Sequence, residues 1–449
     1  MTARDGSNIL PPEFSDDGLA LGFSDKHAGE LLYVPAWSRW LRWDGMRWKQ
    51  DNTLAVFDLA RGFCREMAVN ALATPNSGGP ARADAITSAS TIAAVERLAR
   101  SDPRHARRAE DFDADPWALN TPRGVLDLRT GELRPPTKAD MLTKLAGAAP
   151  GGDCPRWLRF LHEITHGDTE LIAYLQRFVG YTLLGIIPEH AFLFLIGPGK
   201  NGKSVLLSTV AKLLGDYAVT AMADTFTVNR NESHPTHLAS LRGARMVWVP
   251  ETESGSVWAE ARLKALTAGD KISARVMRGD PFEFTPTFTL WVAGNHRPEL
   301  RNPDDAMRRR MHMAPLTFVP EKPDLKLTDA LAAELPGIME WAMAGCMTWQ
   351  REGLKPPAVV TEAVGEYFEQ QDALAQWFEE RCERDPMGEI GSRALYQDWS
   401  GWTKAIGRSA GSEVKFSEAM QKHAAKKRNK KGMVFVGVKL LPADPGAWA

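Results

Sequence analysis

One short stretch of the sequence combines residue types that can hold phosphate groups. Residues 195–205 read LIGPGKNGKSV, an apolar lead-in followed by the pattern G-x-x-x-x-G-K-S. Glycines let backbone N–H groups converge on phosphate oxygens, and a helix starting here adds the positive end of its dipole. The lysine can reach the outer phosphates, while the Ser204 hydroxyl can coordinate Mg²⁺. We therefore predict a site for ATP with Mg²⁺. The residues assigned to it are Gly197, Pro198, Gly199, Lys200, Asn201, Gly202, Lys203, Ser204 and Val205.

Two later apolar runs end in polar residues that could complete ATP hydrolysis. ARMVWVP is followed by Glu251, with Glu253 two residues on, and FTLWVAG is followed by Asn295. Hydrolysis needs an acid at the end of a neighbouring strand, to hold Mg²⁺ and orient the attacking water. We expect the two glutamates to supply that acid, with Glu251 also a Mg²⁺ ligand. Asn295 is suited to contact the γ-phosphate or the water.

A basic cluster follows Asn295 in the stretch DDAMRRRM, which contains Arg308, Arg309 and Arg310. An exposed basic turn is the simpler interpretation of three adjacent arginines. The order strand–loop, strand–acid, strand–Asn and arginine cluster favours another. It is the layout of an oligomeric ATPase in which an arginine of one subunit completes the site of its neighbour.

The elements that must position these residues alternate between strands and helices. From residue 191 onward, short apolar runs alternate with stretches of helical spacing, which predicts a parallel α/β sheet. Upstream, residues 31–49 and 124–135 are typical of β-hairpins, the first with a type I′ turn at Asp44-Gly45. Helical periodicity covers 53–110 (interrupted at 74–80), 155–184 and 325–385, and an apolar strand, MVFVGVKLL, comes near the end.

Composition narrows the class of protein. The chain has 449 residues, of which 44% are hydrophobic and 25% charged, with a net charge of −1. No apolar run approaches the roughly 20 residues of a membrane helix, and the N-terminus lacks the apolar core of a signal peptide. The four cysteines form no C-x-x-C pair. We therefore expect neither a disulfide framework nor a structural zinc site, and a cytoplasmic location in a bacterial host cell.

The motifs together resemble the superfamily 3 helicases, in the phage, plasmid and poxvirus-type branch whose members are often fused to a primase. RFVGYTLLGIIPEHAFLFLIGPGKNGKS is similar to that family's helical lead-in and phosphate loop. LKALTAGDKISARVMRGDPFEFTPT resembles its additional motif, and NHRPELRNPDDAMRRRM resembles its third motif and arginine finger. ELPGIMEWAMAGCMTWQREGL is similar to its helical segment behind the ATPase. LLYVPAWSRWLRWDGMRWKQD and DADPWALNTPRGVLDLRTGEL are similar to the domain that often precedes the ATPase.

The resemblance implies a hexameric ring that moves 3′ to 5′ on single-stranded DNA and unwinds a duplex with ATP. In it, Lys203 and Ser204 would serve the phosphates and Mg²⁺, Asn295 would be the sensor, and Arg309 or Arg310 the finger. Family members often place two acids side by side, whereas Thr252 separates the two glutamates here. Which glutamate orients the water therefore stays open. Partners would be single-stranded and forked DNA, other copies of the chain, and other replication proteins such as a separate primase.

Residues 263–287 would line the pore of such a ring. Residues 272–276 and 282–284 can pair as a hairpin with 277–280 at its tip, and basic residues there would hold DNA phosphates without reading sequence. The candidates are Lys271, Arg275 and Arg278. Pairing of any one of them with an acid, in a purely structural role, is the alternative.

Both ends of the chain offer further candidates. Between Lys415 and Lys431 there are seven Lys or Arg against one Glu, and the surrounding order of a helix (372–384), further helices and a strand suits a winged-helix module. Lys426, Lys427 and Arg428 would contact DNA phosphates from a helix end or wing, or form a solvated face. Near the N-terminus, four tryptophans at 37, 40, 43 and 48 could stack bases, but tryptophans in paired strands usually pack in a core.

Two further motifs suggest metal chemistry. His162, Glu163 and His166 match the zinc-protease pattern H-E-x-x-H, with Glu189 as a third ligand. His166 directly precedes Gly167-Asp168, where the helix ends, so a peptidase is the weaker interpretation. The acidic run DFDAD at 111–115 could bind a metal as primase carboxylates do. It lies in the stretch that resembles a non-catalytic domain, and we expect no primase activity from it.

The predicted fold is an α/β P-loop NTPase core (AAA+-like, parallel sheet) with an α+β N-terminal domain and a C-terminal winged-helix-like module. The predicted function is an ATP-dependent DNA helicase in replication of a phage, prophage or plasmid. The alternative is an ATP-switched initiator that binds an origin and unwinds little. The predicted segments are a flexible tail (1–20), the N-terminal domain (21–150), a helical lead-in (151–188), the ATPase core (189–320), a helical segment (321–365) and the DNA-binding module (366–449).

Overall fold

The computed structural model describes ten stretches of the chain: 10–75, 78–228, 235–251, 255–275, 280–301, 303–371, 373–406, 410–421, 423–429 and 432–442. The N-terminal elements are α1 Asp16–Lys26, β1 Leu31–Val34, β2 Arg39–Trp43, β3 Trp48–Gln50, α2 Ala55–Ala73, α3 Gly79–Ile86, α4 Ala89–Ala99, β4 Ala118–Thr121, β5 Gly124–Asp127 and β6 Leu133–Arg134. Two small antiparallel sheets, β1-β2-β3 and β4-β5-β6, with helices α1 to α4 make this region α+β.

The N-terminal region differs from its prediction in two details. Residues 16–20 begin α1 instead of belonging to a tail, because Ser15 caps the helix and Leu19, Ala20 and Phe23 are buried. The predicted first hairpin is present, but Trp43 pairs with Trp48, so the connection has four residues instead of a two-residue type I′ turn. The Asp44 side chain accepts hydrogen bonds from the N–H groups of Met46 and Arg47 and stabilises this longer loop. The second predicted hairpin is formed by β5 and β6.

The four N-terminal tryptophans pack, as the core interpretation predicted. Trp40 and Trp48 are buried, and their indole N–H groups donate to Glu96 and to the carbonyl of Lys138. Trp37 packs against Phe112, and Trp43 against Trp48. Aromatic side chains used in this way stabilise a small sheet and offer little free ring surface for stacking bases.

The central region carries the predicted parallel sheet. Its elements are α5 Pro155–Ile164, α6 Thr169–Thr182, β7 Phe192–Ile196, α7 Lys203–Leu214, β8 Ala218–Thr220, α8 Pro235–Ala239, β9 Met246–Val249, α9 Glu260–Ala268, β10 Ile272–Arg275, β11 Pro281–Phe284, β12 Thr289–Gly294, α10 Asp305–Arg310 and β13 Met311–Pro315. Five strands pair in the order β13-β7-β12-β9-β8, all parallel. Every residue of β7 and β12 is buried, as expected for strands covered on both faces. This is an α/β core of the NTPase type.

The N-terminal region is fastened to the helix that follows the phosphate loop. Gly147 N–H donates to the carbonyl of Leu213 at the end of α7, and a Cβ on Gly147 would lie 1.9 Å from the Lys212 carbonyl oxygen. Asp216, just beyond α7, accepts from Arg47 and from the N–H of Leu145. These contacts fix the C-terminal end of α7. Because the helix is rigid, they also limit the movement of its N-terminal end, which follows the phosphate loop.

The C-terminal elements are α11 Leu327–Ala333, α12 Leu335–Glu352, α13 Ala358–Gln371, α14 Ala373–Arg381, β14 Cys382–Gly391, α15 Ser392–Ala405, α16 Glu413–Met420, β15 Ala425–Asn429 and β16 Gly432–Leu440. The last three strands form an antiparallel sheet in the order β14-β16-β15. The predicted helix at 372–384 is too long, because residues 382–391 pair with β16. The basic residues 426–428 lie in strand β15, so of the two predicted places, a helix end or a wing, the structure contradicts the helix end.

Among the described residues, no helix combines the length and the apolar character that crossing a membrane requires. The four cysteines are buried free thiols.

Candidate functional site

The predicted phosphate loop joins β7 to α7 in a conformation that depends on its glycines. Gly197 and Gly202 have φ angles of 155° and 86°. A Cβ on Gly197 would lie 1.9 Å from the carbonyl oxygen of Leu316, and one on Gly202 would lie 2.7 Å from Ile164 Cγ2. The loop is thus pressed between the end of β13 and helix α5, and side chains at these two positions would displace it.

Lys203, the first residue of α7, turns its ammonium back over the loop. Its Nζ donates to the carbonyl oxygens of Gly197 (2.8 Å) and Pro198 (3.0 Å), to Asn201 Oδ1 (2.8 Å) and to Asn295 Oδ1 (3.1 Å). The residue is only 5% exposed. Among the described residues none of these acceptors carries a charge, so no direct ion pair neutralises the cation. Such a group suits an anionic ligand.

Asn295 and Glu251 extend this network across two strands. Asn295 follows β12 and donates from Nδ2 to Glu251 Oε1 at 2.8 Å, while its Oδ1 accepts from Lys203. Glu251 follows β9, which pairs with β12. The three side chains therefore form a continuous hydrogen-bonded chain, from lysine to amide to carboxylate, beyond the carboxyl ends of β9 and β12.

Two opposing effects act on the pKa of Lys203. Burial lowers it, because the charged form loses solvation, and the nearby Glu251 carboxylate raises it. Burial is the larger effect, so the pKa lies below the ordinary value for a lysine. The ammonium is poised to gain from any additional negative charge that enters the loop.

Ser204 is exposed in the first turn of α7, beside Lys203. Lys200 is exposed at the tip of the loop and adopts a positive φ of 65°. Asn201 is buried, and its Nδ2 donates to the carbonyl of Leu316, which fixes the loop to the end of β13. Glu253, the second predicted acid, lies outside the described residues.

The arginine cluster lies at the other end of the sheet. α10 ends at Arg310, and β13 begins at Met311, which pairs with Phe192 at the start of β7. Since β13 and β7 are parallel, the arginines lie beyond the amino ends of the strands, whereas the phosphate loop follows the carboxyl end of β7. Five strand residues separate the two places, roughly 17 Å at about 3.3 Å per residue. The structure does not bring these arginines to the chain's own phosphate loop.

The three arginines differ in their surroundings. Arg308 lies over the ring of Phe368 at 5.8 Å, and Arg310 donates to the carbonyl of Ala306 at 2.9 Å. Arg309 is exposed and donates to the carbonyl of Asp305 in its own turn, over a long 3.3 Å. Of the two residues considered for the finger, Arg309 is the one more available to a neighbouring molecule.

The predicted pore hairpin is formed by β10 and β11, with Arg275 opposite Pro281. Lys271 and Arg275 are exposed on it, and Arg278, at the predicted tip, lies outside the described residues. In the C-terminal sheet, Lys427 and Arg428 are exposed on β15. Lys426 is partly buried and donates to Ser417 Oγ at 2.5 Å, so its ammonium has an internal partner.

The zinc-protease motif does not assemble. Helix α5 ends at Ile164, and His166 lies beyond it with a positive φ of 53°, so the two histidines do not share a helical face. His166 Nε2 is 3.2 Å from Thr317 Oγ1, and Glu189 accepts from Trp349 Nε1 at 2.7 Å.

The three aspartates of the acidic run at 111–115 stabilise the local backbone. Its carboxylates accept from the N–H groups of Arg108, Thr143 and Trp117. No cluster of three or more His, Cys, Asp or Glu side chains suited to a metal ion occurs within the described part of the chain.

The sequence did not reveal the residues that pack against the phosphate loop. Phe160 and Ile164 of α5 lie against Gly202, and Leu316 receives Asn201. The H-E-x-x-H pattern drew attention to α5 for the wrong reason. The apolar residues of α5 at positions 157, 160, 161 and 164 indicated a buried helix face, but their spacing does not indicate what that face contacts.

Two family models match the chain. Residues 20–166 match the family described as D5 N terminal like, and residues 195–310 match a family of unknown function, DUF5906. The second match contains the phosphate loop, Glu251, Asn295 and the arginine cluster.

Curated relatives carry the name putative helicase. The chain is 28% identical over 347 residues to putative helicase 022R of Frog virus 3, covering 70% of this chain and 34% of that protein. It is 24% identical over 334 residues to putative helicase L207/L206 of Acanthamoeba polyphaga mimivirus, covering 68% and 34%. Putative helicase V13 of Sputnik virophage is 31% identical over 161 residues, which is 33% of this chain and 20% of that one. The chain thus spans about a third of the length of the first two relatives.

Solved structures agree on the fold. The apo structure of the C-terminal region of NrS-1 matches with a TM-score of 0.53 and 10% identity, covering 94% of this chain and 98% of that one. A second crystal form of the same region gives 0.51 and 9%. The likeness extends over nearly the whole chain, the N-terminal and C-terminal regions included.

Proposed function

Because the chain belongs to the D5-type family of superfamily 3 helicases, we propose that it is an ATP-dependent DNA helicase that moves 3′ to 5′ on single-stranded DNA during replication of a phage, prophage or plasmid. The observation that carries the proposal is the network of Lys203, Asn295 and Glu251 at the carboxyl edge of the sheet. It joins a buried cation, an amide and a carboxylate beside a loop that requires glycine at positions 197 and 202.

These residues fit a nucleoside triphosphate with Mg²⁺. The loop supplies N–H groups at the start of α7 and a lysine whose described partners are all uncharged. Ser204 and Glu251 would hold Mg²⁺, which when bound neutralises charge on the phosphate oxygens. Lys203 would exchange loop carbonyls for phosphate oxygens, and Asn295 would keep Glu251 aligned with the reacting phosphate. Glu251 or Glu253 would orient the attacking water.

The position of the arginines supports assembly into a ring. They lie about one strand length from the chain's own loop, beyond the opposite ends of the strands. In a head-to-tail ring, Arg309 would reach the phosphates bound by the neighbouring subunit and stabilise charge that develops there. We propose a homohexamer on family resemblance, because the chain alone does not set the number of subunits.

Two regions would contact DNA. The β10–β11 hairpin carries exposed Arg275, and exposed Lys271 directly precedes it; both would face the pore of the ring. The C-terminal order from α14 to β16 is helix, strand, helix, helix, strand, strand, with β16 in the centre of the sheet. That order suits a winged-helix module, in which the β15–β16 hairpin would place Lys427 and Arg428 against phosphates.

The test is ATP-dependent strand separation on a duplex with a 3′ single-stranded tail, run beside a duplex with a 5′ tail. Unwinding of only the 3′-tailed substrate, lost in Lys203→Ala, is the expected result. Unwinding of only the 5′-tailed substrate would refute the polarity. DNA-stimulated ATP hydrolysis without unwinding of either substrate would favour the ATP-switched initiator, and sequence-selective binding of duplex DNA would strengthen that alternative.

A further inference from the structure

The network at the nucleotide site is itself held by a second layer of contacts that involves two buried aromatic residues. Trp258 lies on the segment that follows Glu251, and Tyr367 lies near the end of α13. They are 1% and 0% exposed. Trp258 Nε1 donates to the Tyr367 hydroxyl oxygen at 3.1 Å, and that hydroxyl donates to the carbonyl oxygen of Pro298. The buried Tyr367 hydroxyl thus both accepts and donates.

The carbonyl of Pro298 belongs to the loop that begins with Asn295, residues 295–301, here called the Asn295 loop. This loop is fastened to the segment after Glu251 by backbone hydrogen bonds. Trp258 N–H donates to the Glu299 carbonyl at 3.0 Å, and Glu299 N–H donates to the Ser256 carbonyl at 2.8 Å. The two chain segments that carry the amide and the carboxylate are thus paired a few residues beyond the site, where Tyr367 clamps them.

The same pair also touches the strand that leads into the phosphate loop. The Trp258 ring contacts Phe192 and Phe194 of β7, with ring centroids 6.0 and 5.6 Å apart and edge-to-face geometry. Trp258, on the segment after Glu251, therefore contacts the β7 strand, the Asn295 loop and Tyr367 at once. Since side chains in a close-packed interior cannot shift independently, the relative placement of these three parts depends on it.

Helix α13 makes further contacts in the turn that follows Tyr367. Gln371 Oε1 accepts from the N–H of Leu300 at 3.1 Å, and the Phe368 ring lies under Arg308. One helix thus holds the Asn295 loop and the helix of the arginine cluster. Its last residue, Gln371, is followed closely by α14, the first helix of the C-terminal sheet region.

We propose that Tyr367 is a positioning residue for ATP hydrolysis: through Trp258 and Pro298 it fixes Asn295 against Glu251, and it makes the geometry of the site depend on the position of α13. This inference rests on the proposed ATPase activity. It assigns no contact with the nucleotide to Tyr367, and it predicts an effect on turnover without an effect on nucleotide binding.

The test compares Tyr367→Phe with Tyr174→Phe in the full chain. Both tyrosines are fully buried, and each uses its hydroxyl in one local network, since the Tyr174 hydroxyl is 2.8 Å from His312 Nδ1. Tyr367→Phe leaves two partners unpaired and Tyr174→Phe leaves one, so both variants should lose thermal stability, Tyr367→Phe the more. Tyr367→Phe should lower kcat for ATP by roughly 10- to 100-fold, as expected for a misplaced reactive group, with the Kd of a fluorescent ATP analogue unchanged. Tyr174→Phe should keep the wild-type kcat.

Trp258→Phe extends the test, because it removes the indole N–H and keeps an aromatic ring. If the two residues act as one unit, the double variant should lose little more kcat than Tyr367→Phe alone. Wild-type kcat in Tyr367→Phe, or an equal loss of kcat in Tyr174→Phe, would overturn the inference. Absence of ATP hydrolysis in the wild-type protein would instead overturn the proposed function, so the two failures are distinguishable.

Discussion

The two ends of the parallel sheet carry polar residues in opposite states. At the carboxyl end, Lys203, Asn295 and Glu251 form one hydrogen-bonded chain whose lysine is buried. At the amino end, Arg309 is exposed and donates to a carbonyl of its own helical turn. One end has the geometry of a site that the chain can build alone. The other carries charge that the chain does not use on its own phosphate loop.

This difference indicates which end of the sheet would depend on a neighbouring subunit in the proposed ring. The side chains of a buried, hydrogen-bonded network are already ordered before a ligand binds, so binding costs little additional conformational entropy. This is the condition for preorganised electrostatic stabilisation. An exposed arginine interacts strongly with an anion only when another surface removes the water around it. We therefore expect substitutions at the carboxyl end to act within one subunit, and substitutions at the amino end to act on the neighbour.

The largest effect should come from Arg309→Ala. Removing an arginine that stabilises phosphoryl transfer costs on the order of 10³-fold or more in kcat, and the nucleotide should still bind. Steady-state phosphate release and the Kd of an ATP analogue measure both. Arg351→Ala, a change at another exposed arginine near the end of a helix, is the matched control and should keep wild-type turnover.

A mixture of subunits tests the intersubunit part of that prediction. Equal amounts of Arg309→Ala and Lys203→Ala subunits would form some interfaces with both residues intact, about a quarter if assembly of a head-to-tail ring is random. Activity should therefore exceed the sum of the two inactive variants. Failure of the mixture to recover activity, in spite of demonstrated co-assembly, would mean that the two ends of the sheet do not cooperate across an interface.

Lys203→Ala should have the next largest effect. It removes the buried cation of the loop's hydrogen-bonded network and should lower kcat by about 10²- to 10³-fold, since a preorganised donor is removed. Phosphate release again gives the measurement. Lys212→Ala is the matched control because Lys212 is exposed in the last turn of the same helix. Equal losses in both variants would show that damage to α7, not removal of the ammonium, is responsible.

Glu251→Gln should lower kcat by about 10²-fold, because the amide can still accept from Asn295 but cannot act as a base. It should also shift the pH dependence. Burial lowers the pKa of Lys203, and Glu251 raises it. As pH rises, Lys203 loses its proton earlier than an ordinary lysine would, and without Glu251 it should lose it earlier still. The alkaline limb of the kcat/KM profile, which reports the free enzyme, should therefore move to lower pH, and an unmoved limb would show that Lys203 does not cause it.

The contrast between the two ends was partly visible in the sequence. The loop motif, and the apolar strands that end at Glu251 and Asn295, are local patterns, and parallel strands bring such ends together. The arginine triplet was visible too, but its place at the amino ends depends on β13 pairing with β7, which no local pattern states. Trp258 and Tyr367 lie 109 positions apart and belong to no motif, so only packing could reveal them.

The C-terminal region shows how tertiary pairing overrides local preference. KHAAKKRNKK contains many residues that favour helices, yet residues 425–429 form a strand because β16 offers an apolar edge to pair with. The N-terminal helix was missed for the opposite reason. Its cap at Ser15 is a local signal that was present but was outweighed by the polar residues around it.

The smallest effect should come from the basic strand β15, which lies outside both ends of the sheet. The double substitution of Lys427→Gln and Arg428→Gln should leave ATP hydrolysis without DNA unchanged. It should weaken binding of single-stranded DNA and reduce the slope of log K against log salt by about 0.7 for each phosphate that the strand no longer neutralises. Fluorescence anisotropy titrations at several salt concentrations measure the slope.

Lys426→Gln on the same strand is the control that gives this prediction its meaning. The Lys426 ammonium donates to Ser417, so its removal should cost some stability and leave the salt slope nearly unchanged. If Lys426→Gln reduced the slope by as much per removed charge as the double substitution does, a general decrease in positive charge, and not contact by an exposed strand, would be weakening binding. A decrease in ATP hydrolysis without DNA would mean that β15 contributes to hydrolysis. The residues needed for hydrolysis would then not be confined to the two ends of the parallel sheet.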